Sequence, residues 1–240
     1  MGAPAIEARD LHKTFAIAPV LRGVNLRVEP GAAVLIHGRN GSGKSTLIRL
    51  LAGLSAPTSG TALLFGSPSY RLTADGRRKL GLLTHQSFLY PNLTARENLA
   101  FFCALYRIAD ADRLIQRSLD SSGLPAAADE RVRSFSRGME QRLAIVRALL
   151  PAPDALLMDE PFTALDAEGV ALASALIDEA ITRGCAVVMT AHAPATSLGT
   201  RVTFQELVHG RLVESGSAHA QRSRPALDQL APAASATAGA

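Results

Sequence analysis

The stretch richest in chemistry is Gly38-Arg39-Asn40-Gly41-Ser42-Gly43-Lys44-Ser45-Thr46, which carries the spacing G-x-x-x-x-G-K-[ST]. Its glycines let backbone N–H groups point inward around β- and γ-phosphates, and the start of the following helix adds the positive end of its dipole. Lys44 neutralises phosphate charge, and the Ser45 hydroxyl suits Mg²⁺.

A second chemical group ends the apolar run ALLM as Asp159 and Glu160. Asp159 suits the Mg²⁺ shell, and Glu160 suits a general base that orients and deprotonates an attacking water. By itself an acidic pair after an apolar run is an ordinary solvated loop start, so its meaning comes from the company of the glycine loop. Two further runs, LGLLTHQ and AVVMTAH, end in Gln86 and His192. A glutamine amide can reach Mg²⁺ or that water, and a histidine can hydrogen-bond a γ-phosphate and the base.

These groups need elements to carry them. Val24, Leu26 and Val28 alternate with Asn25 and Arg27, which predicts a half-exposed antiparallel strand closed by a Pro30-Gly31 turn. AVLIH, ending at His37, is a short buried strand before the glycine loop, and LIRLLAG after it is a helix ended by Gly53. With the three runs ending in Gln86, Glu160 and His192, this predicts parallel strands whose carboxyl ends open on one crevice of an α/β core.

Ser87 to Pro153 reads as an all-helical insertion in that core. Thr94 and Glu97 pair as a capping box, with Leu99, Phe102, Cys103 and Tyr106 following at helical spacing. Met139, Leu143, Val146 and Leu150 line a second helix stopped by Pro151. Phe102 and Tyr106 read as core, while Phe88 and Tyr90 in the preceding loop are candidates for a groove that accepts a short partner helix. RLVES after His209-Gly210 predicts a last strand, and the Ala-, Ser- and Pro-rich stretch from Gly216 to Ala240 reads as disordered.

With 240 residues, 48% hydrophobic and 19% charged, the chain has enough apolar content for a packed core, which excludes a disordered or fibrous main state. A net charge of +4, spread along the chain, argues against a dedicated nucleic-acid binder. Cys103 and Cys185 lie far apart without a CxxC pattern, as expected of small buried hydrophobes in a reducing compartment. The N-terminus lacks an apolar signal region, and Ile6 stands where myristoylation needs Ser or Thr. Gly53, Pro57, Ser59, Gly60 and Thr61 interrupt the uncharged run from Leu50 to Tyr70, so no membrane span is expected. Membrane attachment is therefore expected only through a partner.

Over roughly residues 5–215 the chain resembles the nucleotide-binding subunits of ATP-binding-cassette (ABC) transporters. The resemblance rests on GRNGSGKST, Gln86, FSRGMEQR as the signature motif, ALLMDEP, Ala164-Leu165-Asp166 as the D-loop, and the switch histidine His192, in the family's order. It implies an α/β P-loop NTPase cassette over residues 1–216, with a mixed sheet core, an N-terminal antiparallel β subdomain and an inserted helical subdomain at about 87–153. Residues 217–240 are then a disordered tail. It implies ATP and Mg²⁺ as cofactors, with Phe15 stacking on adenine and Gly38 to Thr46 on the phosphates. It further implies Glu160, His192 and Gln86 in catalysis, Ser45, Gln86 and Asp159 around the metal, and Asp166 in the D-loop. Ser136, Arg137, Gly138 and Met139 would reach in trans to a γ-phosphate held by a second copy, head to tail. Arg137 stands where the signature has its first Gly, and Met139 where it has Gln.

The implied partners are integral-membrane permease subunits, with no nucleic acid, at the cytoplasmic face of the cell membrane. Within the family, HQSFLYPNLTARENLAFFCALY and FSRGM are similar to ATP-binding subunits of heme exporters of cytochrome c maturation. Drug- and polysaccharide-type exporters share related stretches. Soluble non-transport ABC ATPases are a more distant reading, because they generally carry two cassettes or a long coiled-coil insertion.

Overall fold

The computed structural model describes residues 3–192 and 202–214, and the tail expected to be disordered lies outside them. β1 (Ile6–Phe15) and β2 (Ala18–Val28) form an antiparallel pair. β3 (Ala33–His37) leads through the glycine loop into α1 (Lys44–Leu51). β4 (Ser59–Leu64) and β5 (Ser67–Pro68) return to the first sheet, whose order is β2-β1-β4-β5. After a short α2 (Ala74–Arg78), β6 (Leu80–Leu83) precedes three helices, α3 (Ala95–Tyr106), α4 (Ala111–Ser121) and α5 (Arg137–Leu149). Then come β7 (Ala155–Met158), α6 (Ala167–Thr182), β8 (Ala186–Ala191), β9 (Val202–Val208) and β10 (Arg211–Glu214).

The second sheet has the order β10-β9-β3-β8-β7-β6, and every pairing is parallel except β10 with β9. Its central strands are apolar apart from His37 at the end of β3 and Thr190 in β8, because both faces are covered. Leu35, Leu156, Met158, Val187 and Met189 point into one core with residues of α3, α5 and α6. Val34, Ile36, Leu157 and Val188 point into the other, with Leu47, Ile48, Leu50 and Leu51 of α1 and the inner face of the antiparallel sheet. The α/β reading and the mixed sheet are thus met.

Local signals hold where side chains act on their own neighbourhood. Thr94 Oγ1 accepts from Glu97 N–H while Glu97 accepts from Thr94 N–H, a complete capping box. Gly53 follows α1 with φ 70, and a Cβ there would stand 2.4 Å from the Ser69 carbonyl oxygen. Both cysteines are free and buried, and burial pushes the Cys185 thiol up to about 12. Among the described residues no helix is long and apolar enough to cross a membrane.

The strand read over 24–28 begins at Ala18, and β1 and β9 carry no clean alternation in the sequence. In β1 the reason is visible: Asp10 has φ 45, and register shifts break the period of two.

Candidate active site

The glycine loop joins the end of β3 to α1. Gly41 and Gly43 take φ 77 and 107, which glycine adopts at little cost, and a Cβ on Gly43 would stand 3.0 Å from Val20 and Leu21 side-chain carbons. Lys44 is only 5% exposed, and its ammonium donates to the carbonyls of Gly38 at 2.8 Å and Arg39 at 3.2 Å. Glu160 Oε1 stands 3.9 Å from the same ammonium. On the other carboxylate oxygen, His192 Nε2 lies 2.8 Å from Glu160 Oε2, within reach for its N–H to donate.

Phe15, Asn40, Lys44, Ser45, Glu160 and His192 line one open cavity of about 490 Å³. Phe15 is half exposed at its rim, with the Lys13 ammonium 4.9 Å from the ring centroid. An exposed aromatic face, a glycine loop that opens a helix N-terminus and a buried lysine suit a base, phosphates and their charge. The oxygens of Ser45 and Asp159 suit Mg²⁺, which takes one or two carboxylates and completes its shell with phosphate and water. The residues present therefore fit Mg²⁺ and ATP.

The other candidate residues lie elsewhere. Gln86 is exposed beyond β6 and is not among the residues lining this cavity. Ser136 caps α5, its Oγ accepting from Met139 N–H at 3.2 Å, which leaves the hydroxyl proton to donate outward. A Cβ on Gly138 would lie 3.0 Å from the Ala164 carbonyl oxygen, so this glycine lets α5 approach the segment around Asp166. Asp166 caps α6 by accepting from Gly169 N–H at 2.8 Å. Arg137 is exposed and, with Glu140, Asp159 and Glu160, lines a second cavity of about 300 Å³.

Sequence reading missed the residues that brace these groups. Gln141 donates to the Pro161 carbonyl at 2.9 Å, Ser87 Oγ donates to Glu140 at 2.6 Å, and Thr190 touches both Asp159 and Glu160. Only Thr190 left a trace, as the lone polar residue of AVVMTA.

A family model described as ABC transporter matches residues 21–163. The cytochrome c biogenesis ATP-binding export protein CcmA of Pseudomonas savastanoi pv. phaseolicola is 39% identical over 72% of this chain and 81% of its own length. The Nod factor export ATP-binding protein I of Paraburkholderia xenovorans is 34% identical over 80% of this chain, which spans only 64% of that relative. The ATP-binding cassette MJ0796, solved as a dimer in a post-hydrolysis state bound to ADP and Pi, superposes with a TM-score of 0.76. Its identity is 29%, over 86% of this chain and 96% of that one. Sequence, fold and cavity agree, and the chain belongs to the ABC transporter family as one of its ATP-binding subunits, an ATPase.

Proposed function

We propose that this ATPase drives heme export for cytochrome c maturation, attached to the cytoplasmic face of the cell membrane through permease subunits. The cargo reading is carried by the CcmA likeness, which covers 81% of that relative at 39% identity. The likeness to the Nod factor export protein favours a second reading, a subunit of another exporter of the drug or polysaccharide type.

In this reading residues 1–216 work as one cassette, with 87–153 as its helical arm. The loop from Gly38 to Thr46 binds the β- and γ-phosphates through backbone N–H groups, and Lys44 neutralises them. Ser45 and Asp159 would hold Mg²⁺, and the Gln86 amide, on its exposed loop, would supply a further oxygen. When bound, the ion neutralises charge on the transferring phosphoryl group.

His192 Nε2 is placed to donate to Glu160 Oε2, which leaves Oε1, 3.9 Å from the Lys44 ammonium, to accept a proton from the attacking water. As the water oxygen attacks the γ-phosphorus, its proton passes to Oε1. The bond to the bridging oxygen breaks, giving ADP and phosphate. Ser136 and Gly138 of a second copy complete the phosphate contacts.

Deleting the gene tests the cargo. Cytoplasmic heme and b-type cytochromes should stay normal while c-type cytochromes lack covalent heme, read by a heme stain of membrane proteins. Normal c-type cytochromes, with no second gene copy, would exclude heme and leave an exporter of another cargo.

A further inference from the structure

β8 is apolar except for Thr190, whose side chain is fully buried. A hydroxyl at such a position is costly unless both its roles are used. Thr190 Oγ1 donates to Asp159 Oδ1 at 2.6 Å, the short distance of a bond to a carboxylate, and accepts from Glu160 N–H at 3.0 Å. One hydroxyl thus spans the side chain of one acidic residue and the backbone of the next.

The backbone it holds is unusual. Glu160 has φ 54, a left-handed conformation that non-glycine residues seldom adopt. Along a continuing strand, residues 159 and 160 would point to opposite faces. The left-handed turn brings both carboxyl-bearing residues to the same side, where they line the second cavity together. Gln141, from α5, grips the far side of the turn through the carbonyls of Glu160 at 3.4 Å and Pro161 at 2.9 Å. Strand β8 also carries His192 just past its end, so Thr190 ties the acidic pair to the strand that delivers their histidine partner.

We propose that Thr190 is a positioning residue of the ATPase site, its hydroxyl setting the Asp159 carboxylate for Mg²⁺ and the Glu160 turn for water activation. The proposal rests on the roles given above to Asp159 and Glu160. Thr190→Val keeps the shape and removes the hydroxyl, whereas Thr190→Ser keeps the hydroxyl and removes the methyl.

Two readouts separate positioning from packing: kcat, and the affinity for a fluorescent ATP analogue with and without Mg²⁺. Thr190→Val should lower kcat and the Mg²⁺-dependent gain in affinity by roughly 10- to 100-fold, with Mg²⁺-free affinity unchanged. Thr190→Ser should restore both to within about threefold, since the hydroxyl returns. Wild-type behaviour of Thr190→Val, or a Thr190→Ser variant as impaired as Thr190→Val, would overturn the proposal. Should Thr190→Val fail to fold, Gln141→Ala tests the same held turn: lower kcat at unchanged Mg²⁺-free affinity supports it, and wild-type kcat overturns it. Asp159→Asn and Glu160→Gln, measured alongside, test the underlying roles. An unchanged Mg²⁺ gain in the first, or intact turnover in the second, sinks that reading whatever Thr190 does.

Discussion

Lys44 and Glu160 sit 3.9 Å apart, yet their chemistry separates cleanly. The lysine holds charge that is present before reaction, because its ammonium is buried against the loop that receives phosphate. In the proposed mechanism the glutamate accepts a proton that moves only in the transition state. Glu160→Gln should therefore cut turnover by about 10²–10⁴-fold while leaving ATP affinity within about threefold. Lys44→Ala should lose ATP binding itself, and equilibrium binding beside steady-state hydrolysis reads both. Equal turnover in wild type and Glu160→Gln would remove Glu160 from the base role. Both residues were legible in the sequence, since a glycine loop and an acidic strand end are local patterns. Thr190 and Gln141 were not: their roles exist only once β7, β8 and α5 are adjacent, and no spacing records that adjacency.

At the scale of elements, α5 braces the site from the helical side. Its Glu140 accepts from Ser87 just past Gln86, Gln141 holds the turn after Glu160, and Arg147 donates to the Leu82 carbonyl at 2.6 Å. The Arg147 guanidinium lies 5.5 Å from the ring centroids of both Phe88 and Phe102, and burial pushes it down to about 10. An arginine so enclosed works as packing as much as charge. Arg147→Ala would leave a cavity and an unpaired carbonyl, and should lower the free energy of unfolding by about 2–4 kcal/mol in urea titration. A loss below the error of that measurement would mean that β6 and α3 close over the gap. The helices of this region were readable because their caps and apolar stripes are local, as in Thr94 with Glu97. Their hold on the site was hidden, because Ser87 and Glu140 are far apart in sequence. The aromatic reading divides as well: Phe102 is core, whereas Phe88, Tyr90 and Phe101 remain more than two-fifths exposed, the Tyr90 and Phe101 rings edge to face and Phe88 against Arg147. That exposure suits the docking of a permease helix.

At the scale of the whole molecule, the residues that the family resemblance unites are split between two places. Phe15, the glycine loop, Glu160 and His192 share one cavity, while Ser136 caps α5 outside it. The solved relative MJ0796 is a dimer, and we propose that two copies of this chain bring the halves together around ATP. Glu160→Gln should make this visible, because bound ATP is no longer consumed and the closed state accumulates. Light scattering should show the 25.2 kDa chain doubling in mass with Mg²⁺ and ATP, and remaining single with ADP. Adding Ser136→Glu to Glu160→Gln should prevent the doubling, since a carboxylate would face the γ-phosphate of the other copy. Arg137 sharpens the expectation: it is exposed beside Ser136, and in the proposed dimer it would bring positive charge toward that phosphate, so Arg137→Ala should raise the ATP concentration needed for dimerisation. A Glu160→Gln protein that stays monomeric at high concentration with ATP would assign assembly to the permease subunits, and Ser136 would then have no phosphate to meet in their absence.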